Sequence, residues 1–389
     1  MQDESLRDRL ERKIRDGQAV VGIIGLGYVG LPLAMAFVEK GVPVLGFDVD
    51  PEKPARLARG ESYIKHLGPE RVTAMTRSGR FEATTDFSRL GATDVILICV
   101  PTPLTPQREP DMTYVVNSTR QIQTRLRPGQ LVVLESTTYP GTTDELVRGM
   151  LESTGLRCGR DFFLAFSPER EDPGRKDFTT TTTPKVVGGV DRDSGDLAQA
   201  LYDLIVVRTV RVSSARAAEA TKLTENIFRA VNIALVNELK IVYDRMGIDV
   251  WEVLDAASTK PFGFVRFNPG PGWGGHCIPL DPFYLSWKAR ETGEAPKFIE
   301  LAGDINVRMP HYVVGKLQGA LNDRGKPVRG SRVLILGIAY KKDIDDPRES
   351  PAFEIMDLLL QLGAGVSYHG APIPAAPRMR SWPNLPPMT

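Results

Sequence analysis

The chain has 389 residues, of which 42% are hydrophobic and 25% are charged, and its formal net charge is +1. This length and composition are typical of a soluble protein with two or three domains. A nearly neutral chain without a long basic run lacks the electrostatic footprint of a nucleic-acid-binding protein. No signal peptide and no apolar run of about eighteen residues is found, so we expect no membrane partner.

The cysteines and histidines exclude two further classes of protein. Cys99, Cys158 and Cys277 are widely spaced and odd in number, which is not the pattern of a disulfide framework. We therefore expect a reducing, cytoplasmic setting. The histidines are scattered, and the sequence has neither a CxxC pair nor HExxH, so we expect no metal site.

The first motif lies in VVGIIGLGYVGLPLAMAFVEKGVPVLGFDVD, which begins at Val20. After a strand pattern, Gly25 permits a tight turn, Gly27 lets the backbone approach a pyrophosphate, and Gly30 allows the helix to pack closely. Asp48 ends the second strand, where it would bond both ribose hydroxyls and repel a 2′-phosphate. The pattern predicts a dinucleotide-binding unit that prefers NAD, with a glycine-rich turn that binds nothing as the alternative.

Three further strand patterns follow, and each ends in a polar loop. Residues 92–100 form a continuous apolar run before PTPL, and we expect Cys99 within it to be core. Residues 129–147 read as a strand, the loop ESTT and a helix, and residues 162–172 end in SPERED. Parallel sheets bind ligands at the carboxyl ends of their strands, so these loops are predicted to line one crevice.

Residues 215–247 form the longest helical pattern in the chain. Lys222 and Asn226 lie one turn apart among apolar residues, as an oxyanion-binding pair would, although a solvated charged face is the alternative. Such a helix can bridge domains or subunits. We expect Lys222, Asn226 and Arg229 to lie opposite an apolar stripe of Ala220, Leu223, Ile227, Val231, Ala234 and Val242.

A reactive thiol is predicted in NPGPGWGGHCIPLDP, residues 268–282. Glycines before Cys277 would let a ligand approach the sulfur closely. Asp281 is expected to be the N-cap of a helix whose first residue is Pro282, and the helix dipole would favour the thiolate. A small buried thiol without chemistry is the alternative.

The C-terminal part contains a second strand, helix and strand. SRVLILGIAYKKD is followed by a helix over about residues 351–362 and by GVSYHG, with Lys341, Lys342 and Arg348 where a phosphate could bind. One such unit has too few strands for a sheet that covers itself. We therefore expect this last domain to be truncated.

These motifs together resemble the UDP-glucose/GDP-mannose dehydrogenase family, the nucleotide-sugar 6-dehydrogenases. The resemblance rests on GLGYVGLPLA, VPTPL, ESTTYPGTT, SPERED, EATKLTENIFRAVNIALVNE, GPGWGGHCIPLDP and LGIAYKKDIDDPRESPA. It implies an α/β protein with an N-terminal Rossmann-type doubly wound sheet, a central helical dimerisation domain and a partial C-terminal Rossmann-like domain. The expected bounds are an arm at 1–19, the NAD-binding domain at 20–212, the central domain at 213–326 and the nucleotide-sugar-binding domain at 327–389.

The resemblance also implies a reaction and its residues. It is a four-electron oxidation of a sugar C6 hydroxyl by two NAD in succession, through a thiohemiacetal and a thioester on Cys277. Catalysis is then expected from Cys277, Lys222, Asn226, Glu169, Asp281 and Thr137. NAD binding is expected from Gly25, Gly27, Tyr28, Val29, Gly30, Asp48, Thr102 and Thr137. Substrate binding is expected from Glu169, Arg170, Lys222, Asn226, Phe267, Gly274, Lys341 and Arg348.

Within this family the chain most resembles dehydrogenases of UDP-N-acetylglucosamine and other UDP-N-acetylhexosamines, with UDP-glucose as the alternative substrate. The expected assembly is a homodimer or a higher homo-oligomer, and the expected pathway is surface polysaccharide synthesis. Three other hypotheses for the function remain. A two-electron hydroxyacid or sugar-acid dehydrogenase would need no thiol, a truncated protein could keep only NAD binding and assembly, and a cysteine hydrolase would need a partner for His276.

Overall fold

The computed structural model describes residues 4–64, 67–105, 107–170, 179–275, 278–342 and 346–370. The chain divides into two compact units, Met1–Leu223 and Thr224–Thr389. The domain bounds expected from the sequence stay predictions.

The first unit is built on an eight-stranded sheet, in the order β3-β2-β1-β4-β5-β6-β7-β8. Neighbouring strands run parallel except β6 and β7, which are antiparallel. The strands are β1 (Val21–Ile24), β2 (Val44–Phe47), β3 (Phe81–Thr84), β4 (Val95–Ile98), β5 (Leu131–Leu134), β6 (Phe163–Phe166), β7 (Lys185–Gly189) and β8 (Thr209–Arg211).

Both faces of this sheet are covered by helices. Strands β1, β2, β4, β5 and β6 are buried at every position, because successive side chains enter two separate apolar clusters. In β4, for example, Leu97 belongs to one cluster and Ile98 to the other. The helices are α1 (Leu6–Arg15), α2 (Gly30–Glu39), α3 (Glu52–Ala58), α4 (Pro69–Arg77), α5 (Thr113–Gln123), α6 (Arg148–Glu152) and α7 (Arg192–Tyr202).

Helix α1 and two short helical turns complete the first unit. Leu10 and Ile14 on α1 are buried in the same apolar cluster as residues of α7, so the charged N-terminal segment packs on the sheet layer through one face. The short turns are a 3-10 turn at Phe87–Ala92 and a π-helical turn at Thr142–Val147. The longest helix, α8 (Ala215–Met246), begins in the first unit and continues into the second.

The second unit is mainly helical and holds a two-stranded parallel sheet. Its helices after α8 are α9 (Val250–Ala257), α10 (Asp281–Ala289), α11 (Lys297–Asn322) and α12 (Pro351–Gln361), with a 3-10 turn at Arg290–Thr292. Its strands are β9 (Arg332–Leu336) and β10 (Gly365–His369), and α12 connects them. Phe353 and Met356 of α12 are buried in a cluster with Tyr368 of β10.

The predicted fold class is confirmed. The Rossmann-type sheet, the long helix and the small C-terminal strand-helix-strand unit are all present. The expected faces of α8 are wrong in part. Val242, placed on the apolar stripe, is 43% exposed, whereas Asn226, expected to be one of an oxyanion-binding pair, is 4% exposed.

Within the part of the chain that the structure describes, no helix is both long and apolar enough to cross a membrane. The cytoplasmic setting stays a prediction.

Candidate functional site

The glycine-rich turn after β1 has the geometry that close backbone contact requires. Gly25 has φ +94°, and a Cβ there would lie 2.4 Å from the carbonyl oxygen of Cys99. A Cβ on Gly30 would lie 1.9 Å from the carbonyl oxygen of Gly25, so α2 can approach the turn only with glycine. A Cβ on Gly27 would meet no atom within 4 Å. The open space at Gly27, ahead of a helix N-terminus, fits the pyrophosphate of a dinucleotide.

The acid at the end of β2 is buried and bound to the same turn. Asp48 is 5% exposed, and its Oδ2 accepts hydrogen bonds from the Leu26 amide at 2.9 Å and the Lys53 ammonium at 2.8 Å. Its Oδ1 accepts from the Asp50 amide at 3.1 Å. Asp48 is thus held rigidly beside the glycine turn, where the ribose of a dinucleotide would be expected. Lys53 adds a cation that sequence patterning did not indicate.

Tyr63 further fixes the glycine turn. Its hydroxyl donates to the carbonyl oxygen of Leu26 at 2.5 Å. Burial raises the pKa of Tyr63, and the charge of Asp48 raises it further, so the hydroxyl keeps the proton that it donates. The backbone that would face the pyrophosphate is therefore held from both sides, by Asp48 and by Tyr63.

The loops after β4 and β5 lie side by side, as predicted. Thr102 donates its hydroxyl to the carbonyl oxygen of Thr137 at 2.8 Å, and Ser136 donates its hydroxyl to the Val100 carbonyl at 2.7 Å. This brings two of the residues expected to bind NAD together at the carboxyl edge of the sheet. Two other residues are expected to bind NAD. Tyr28 is 46% exposed, whereas Val29 packs against the core.

Glu169 lies in the loop after β6 and is contacted from α8. The Lys222 ammonium donates to the carbonyl oxygen of Glu169 at 2.7 Å. The Arg170 amide donates to Glu169 Oε1 at 2.7 Å, and the Arg170 guanidinium donates to the Pro184 carbonyl at 2.7 Å. The structure therefore places Glu169, Arg170 and Lys222, all expected to bind substrate, next to one another in the first unit.

A buried ionic group, which the sequence analysis did not predict, lies beneath the loop that carries Glu169. The Lys185 ammonium donates to Glu135 Oε2 at 2.9 Å and to the Pro168 carbonyl at 3.2 Å, and the Tyr202 hydroxyl donates to Glu135 Oε1. Burial lowers the pKa of Lys185, but its attraction to Glu135 and Glu169 outweighs burial and leaves that pKa above the usual value. Lys185 therefore stays charged inside the protein.

Glu219 is a second buried acid that sequence reasoning missed. It lies on α8, and its carboxylate accepts from the amides of Gly141 at 2.7 Å and Thr143 at 2.9 Å. The Thr143 hydroxyl also donates to it at 2.7 Å. Glu219 thus ties the beginning of α8 to the loop that carries Thr137, and burial raises its pKa to about 7. Its signal in the sequence was an acid three residues before Lys222.

In the second unit, Asn226 and Asp281 form a buried pair. The Asn226 side-chain amide donates to Asp281 Oδ2 at 2.5 Å, and the two residues are 4% and 5% exposed. The predicted N-cap role of Asp281 is wrong. The N-cap of α10 is Leu280, without a side-chain cap, and Asp281 is the first helical residue. Its carboxylate is directed to α8, while its place in the first turn still lets it interact with the helix dipole.

The glycine-rich segment before residue 276 is anchored by two buried asparagines. The Gly270 amide donates to Asn237 Oδ1 at 2.8 Å, and the Asn237 side-chain amide donates to Asn306 Oδ1 at 2.8 Å. Both asparagines are at most 1% exposed. Helices α8 and α11 therefore fix the backbone that leads to the predicted nucleophile. Cys277 itself, and His276, lie outside the described residues.

The other end of that segment contacts the C-terminal part of the second unit. The Gly275 amide donates to the Arg348 carbonyl at 3.1 Å. A Cβ on Gly274 would lie 2.7 Å from the Glu349 carbonyl oxygen and 2.7 Å from Tyr340 Cβ. Gly274 therefore serves close packing, and its expected part in substrate binding stays a prediction.

The remaining predicted substrate residues are half-buried in the second unit. Arg348 forms an ion pair with Asp346 at 2.5 Å, and Lys341 precedes the short gap in the described chain. Phe267 packs edge to face on Phe228, with ring centroids 5.9 Å apart. Their expected part in substrate binding stays a prediction.

Models of three domains of one family match the chain. The NAD binding domain of the UDP-glucose/GDP-mannose dehydrogenase family matches residues 19–206, the central domain matches 216–308, and the UDP binding domain matches 334–383. The first match confirms the prediction of NAD as cofactor.

Relatives and solved structures agree with these matches. The UDP-N-acetyl-D-glucosamine 6-dehydrogenase of Pseudomonas aeruginosa is 38% identical over 338 residues, which are 86% of this chain and 79% of that protein. The UDP-D-ManNAc dehydrogenase structure from Pyrococcus horikoshii has a TM-score of 0.85 at 35% identity and covers 91% of this chain and 84% of its own. A UDP-glucose dehydrogenase structure from Pyrobaculum islandicum has a TM-score of 0.81 at 31% identity, over 90% of this chain and 82% of its own.

Proposed function

Because the chain belongs to the UDP-glucose/GDP-mannose dehydrogenase family, we propose that it oxidises the C6 hydroxyl of a UDP-sugar to a carboxylate. The observation that carries this proposal is the buried hydrogen bond between Asn226 and Asp281. Asp281 lies four residues after Cys277 in the sequence, and Asn226 reaches it from α8. An amide donor and a carboxylate are the groups that a thioester-forming dehydrogenase needs besides its nucleophile.

NAD is proposed to lie on the glycine turn of the first unit, where it would accept a hydride in each of two oxidations. Gly27 leaves room for the pyrophosphate, and Asp48 is held ready for the ribose. Tyr28, Val29, Thr102 and Thr137 are proposed to complete the cofactor site.

In the first oxidation, the C6 hydroxyl loses a proton and a hydride and becomes an aldehyde. Lys222 is proposed to stabilise the developing alkoxide, since an ammonium has three N–H donors and one is used on the Glu169 carbonyl. The Glu169 carboxylate is proposed to take up the proton, directly or through water.

The second oxidation is proposed to take place on Cys277. Its thiolate adds to the aldehyde carbon, and the oxygen gains a proton, which gives a thiohemiacetal. Loss of the hydroxyl proton and of the carbon-bound hydride then converts this adduct into a thioester. Asn226 and Lys222 are proposed to stabilise the oxyanion at this stage.

Hydrolysis of the thioester completes the reaction. Water adds to the thioester carbon, the carbon–sulfur bond breaks, and the sugar carboxylate and the Cys277 thiol are released. Asp281 is proposed to hold this water, and the hydrogen bond from Asn226 orients its carboxylate. Thr137 is proposed to hold water as well.

We propose a UDP-N-acetylhexosamine, such as UDP-N-acetylglucosamine, as the substrate. Dehydrogenases named for UDP-N-acetylglucosamine and UDP-N-acetylmannosamine resemble this chain at 38% and 36% identity. The nucleotide would be bound by Lys341 and Arg348 in the UDP-binding domain. The acid product would suit surface polysaccharide synthesis.

The test is to incubate the protein with NAD and a panel of UDP-sugars, and to measure NADH together with the mass of the acid formed. We expect about two NADH per acid, because each oxidation yields one. A ratio near one, with an aldehyde or ketone as product, would instead identify a two-electron dehydrogenase. Acid formed only from UDP-glucose would refute the substrate proposal but keep the reaction.

Variants at the cysteines separate these mechanisms further. Cys277→Ser should abolish steady formation of the acid, whereas Cys158→Ser, at a cysteine that is not among the predicted site residues, should retain it. Full acid production by Cys277→Ser would overturn the covalent mechanism. Asp281→Asn should let a labelled thioester accumulate, which mass spectrometry of the quenched protein would detect.

We also propose that the chain forms a homodimer or a higher homo-oligomer through the second unit. Four large apolar side chains on α8 are exposed, at spacings that place them on one helical face. They are Phe228, Leu235, Val242 and Met246. Light scattering should give at least twice the chain mass, and a monomer at micromolar concentration would refute this proposal.

A further inference from the structure

The buried group of Glu135, Lys185 and Tyr202 is not used by the proposed mechanism. Glu135 follows β5, Lys185 begins β7 and Tyr202 ends α7, and all three are at most 3% exposed. Burial of a charged group costs desolvation free energy, which pairing offsets only in part. We therefore looked for a function of this buried ion pair.

The group lies directly beneath the loop that carries Glu169. The Lys185 ammonium donates to the carbonyl oxygen of Pro168 at 3.2 Å, and its nitrogen lies 3.8 Å from Glu169 Oε2. The loop is thus contacted through both its backbone and its charged side chain. A neutral side chain at position 185 could not attract the Glu169 carboxylate.

This group has more negatively charged side chains than positively charged ones. Two carboxylates, Glu135 and Glu169, share the single buried ammonium of Lys185. Glu135 is the nearer, at 2.9 Å, and its other oxygen accepts from the Tyr202 hydroxyl. The ionisable groups that face this site from the surrounding elements are Cys99 after β4, Glu135 after β5, Glu169 after β6, Lys185 on β7, Tyr202 on α7 and Lys222 on α8.

We propose that Lys185, with its charge balanced by Glu135, is a positioning residue that holds Glu169 in place for proton uptake. This inference rests on the proposed function, since it assigns to Glu169 the role of acid/base. Lys185 itself touches no reacting atom in this scheme. It acts through the backbone of Pro168 and through the charge that it presents to Glu169.

The two charged partners should have opposite effects on the pH profile. Lys185→Met removes the attraction on Glu169, so the acidic limb of kcat/KM should move to higher pH. Glu135→Gln removes the competing carboxylate and leaves the ammonium to Glu169 alone, so this limb should move to lower pH. An opposite charge at such a distance favours the charged form of a carboxyl group, so the two variants should displace the acidic limb in opposite directions.

The experiment measures kcat/KM from pH 5 to 9 for the wild type and both variants, with NAD binding followed by calorimetry to show that each protein is folded. Lys185→Arg, which keeps the charge, should restore the position of the acidic limb. Tyr202→Phe, which removes one hydrogen bond from Glu135, should move it less than Glu135→Gln does.

A purely structural role gives a different result. Both variants would then lose activity or NAD binding without moving the limb, or would move it in the same direction, and either result would overturn the proposal. If Lys185→Met does not fold, the direction given by Glu135→Gln decides, because an unmoved or raised limb contradicts the proposal.

A direct titration separates this inference from the proposed function. If the wild type oxidises no UDP-sugar, the proposed function fails, but the Glu169 carboxyl carbon can still be titrated by NMR in protein with ¹³C-labelled glutamate. Its resonance is identified by its absence in Glu169→Gln. Opposite displacements of its midpoint in Lys185→Met and Glu135→Gln would support the positioning role, and equal midpoints would refute it.

Discussion

Two strand-helix-strand units of this chain begin in the same way but have different surroundings. Gly25 follows β1 with φ +94° and donates its amide to Phe47 at the end of β2, at 2.8 Å. Gly337 follows β9 with φ +87° and donates its amide to His369 at the end of β10, at 2.7 Å. The local turn is therefore almost the same in both units.

The neighbours of the first strand differ. Strand β1 lies between β2 and β4 and is buried at every position, whereas β9 pairs only with β10 in the part of the chain that the structure describes. Leu334 and Leu336 of β9 are 57% and 77% exposed. The strand-turn-helix pattern therefore determines the backbone conformation of the turn. The neighbouring strands determine how much a side chain added at the turn glycine would lower the free energy of unfolding.

A large effect is expected from adding one methyl group at the first of the two equivalent glycines. Gly25→Ala would place Cβ 2.4 Å from the Cys99 carbonyl oxygen, whereas Gly337→Ala would meet no atom within 4 Å. Both variants carry the strain of a left-handed alanine, about 1 to 2 kcal/mol. Gly25→Ala adds overpacking of about 1 to 3 kcal/mol. We expect it to lower the free energy of unfolding in urea by about 2 to 5 kcal/mol, and to weaken NAD binding.

Gly337→Ala is the matched control for backbone strain. It should lose only about 1 to 2 kcal/mol and leave NAD affinity unchanged in calorimetry. Equal losses in the two variants would show that strain alone, rather than the neighbouring strand β4, sets the requirement for glycine at Gly25.

The next prediction tests a buried carboxyl group of the first unit, Glu219 on α8. Burial raises the pKa of Glu219 to about 7, and its hydrogen bonds with Thr143 and Gly141 offset only part of this. In the unfolded chain a glutamate titrates near its usual pKa of about 4.3. The folded protein therefore binds this proton more tightly, and stability is lost as pH rises from about 4 towards 7.

The expected loss from Glu219 over that window is about 4 kcal/mol. Glu219→Gln cannot ionise, so its free energy of unfolding should fall less than that of the wild type between pH 5 and pH 8. Glu145→Gln, which changes an exposed carboxylate two residues from Thr143, is the control and should follow the wild type. Parallel pH dependence of the Glu219→Gln variant and the wild type would refute the assignment.

Local patterns made most of the fold predictable. The apolar run at Val95–Ile98, the helix at Ala215–Met246 and the turn at Gly25 each depend on residues that are close in sequence. The family matches confirm the identification made from the same motifs, since they cover residues 19–206, 216–308 and 334–383.

Contacts between distant residues were not predictable from these patterns. Lys185 and Glu135 are fifty positions apart, and they meet because β7 returns antiparallel beside β6. Asp281 has the residue type of an N-cap, but its carboxylate accepts a hydrogen bond from Asn226, fifty-five positions earlier. In both cases a long-range partner decides the role of a side chain that local chemistry leaves open.

The smallest expected effect on stability concerns Arg348, in the second unit. Its ion pair with Asp346 is partly open to solvent, with side-chain exposures of 40% and 14%. Exposed ion pairs contribute about 0 to 1 kcal/mol, so Arg348→Ala should hardly change the free energy of unfolding. The enclosed pair of Lys185 and Glu135 should behave differently, because removal of one partner from a buried pair costs about 3 to 5 kcal/mol.

Arg348→Ala also tests whether the second unit binds the UDP group. If Arg348 contacts the UDP group, as we propose, Arg348→Ala should weaken UDP binding in calorimetry while NAD binding stays at the wild-type level. Arg332→Ala, an exposed arginine at the opposite end of β9, controls for the loss of one positive charge. Equal UDP affinity in the two variants would remove Arg348 from the substrate site. A large loss of stability would instead show that the second unit, like the first, depends on its charged groups for folding.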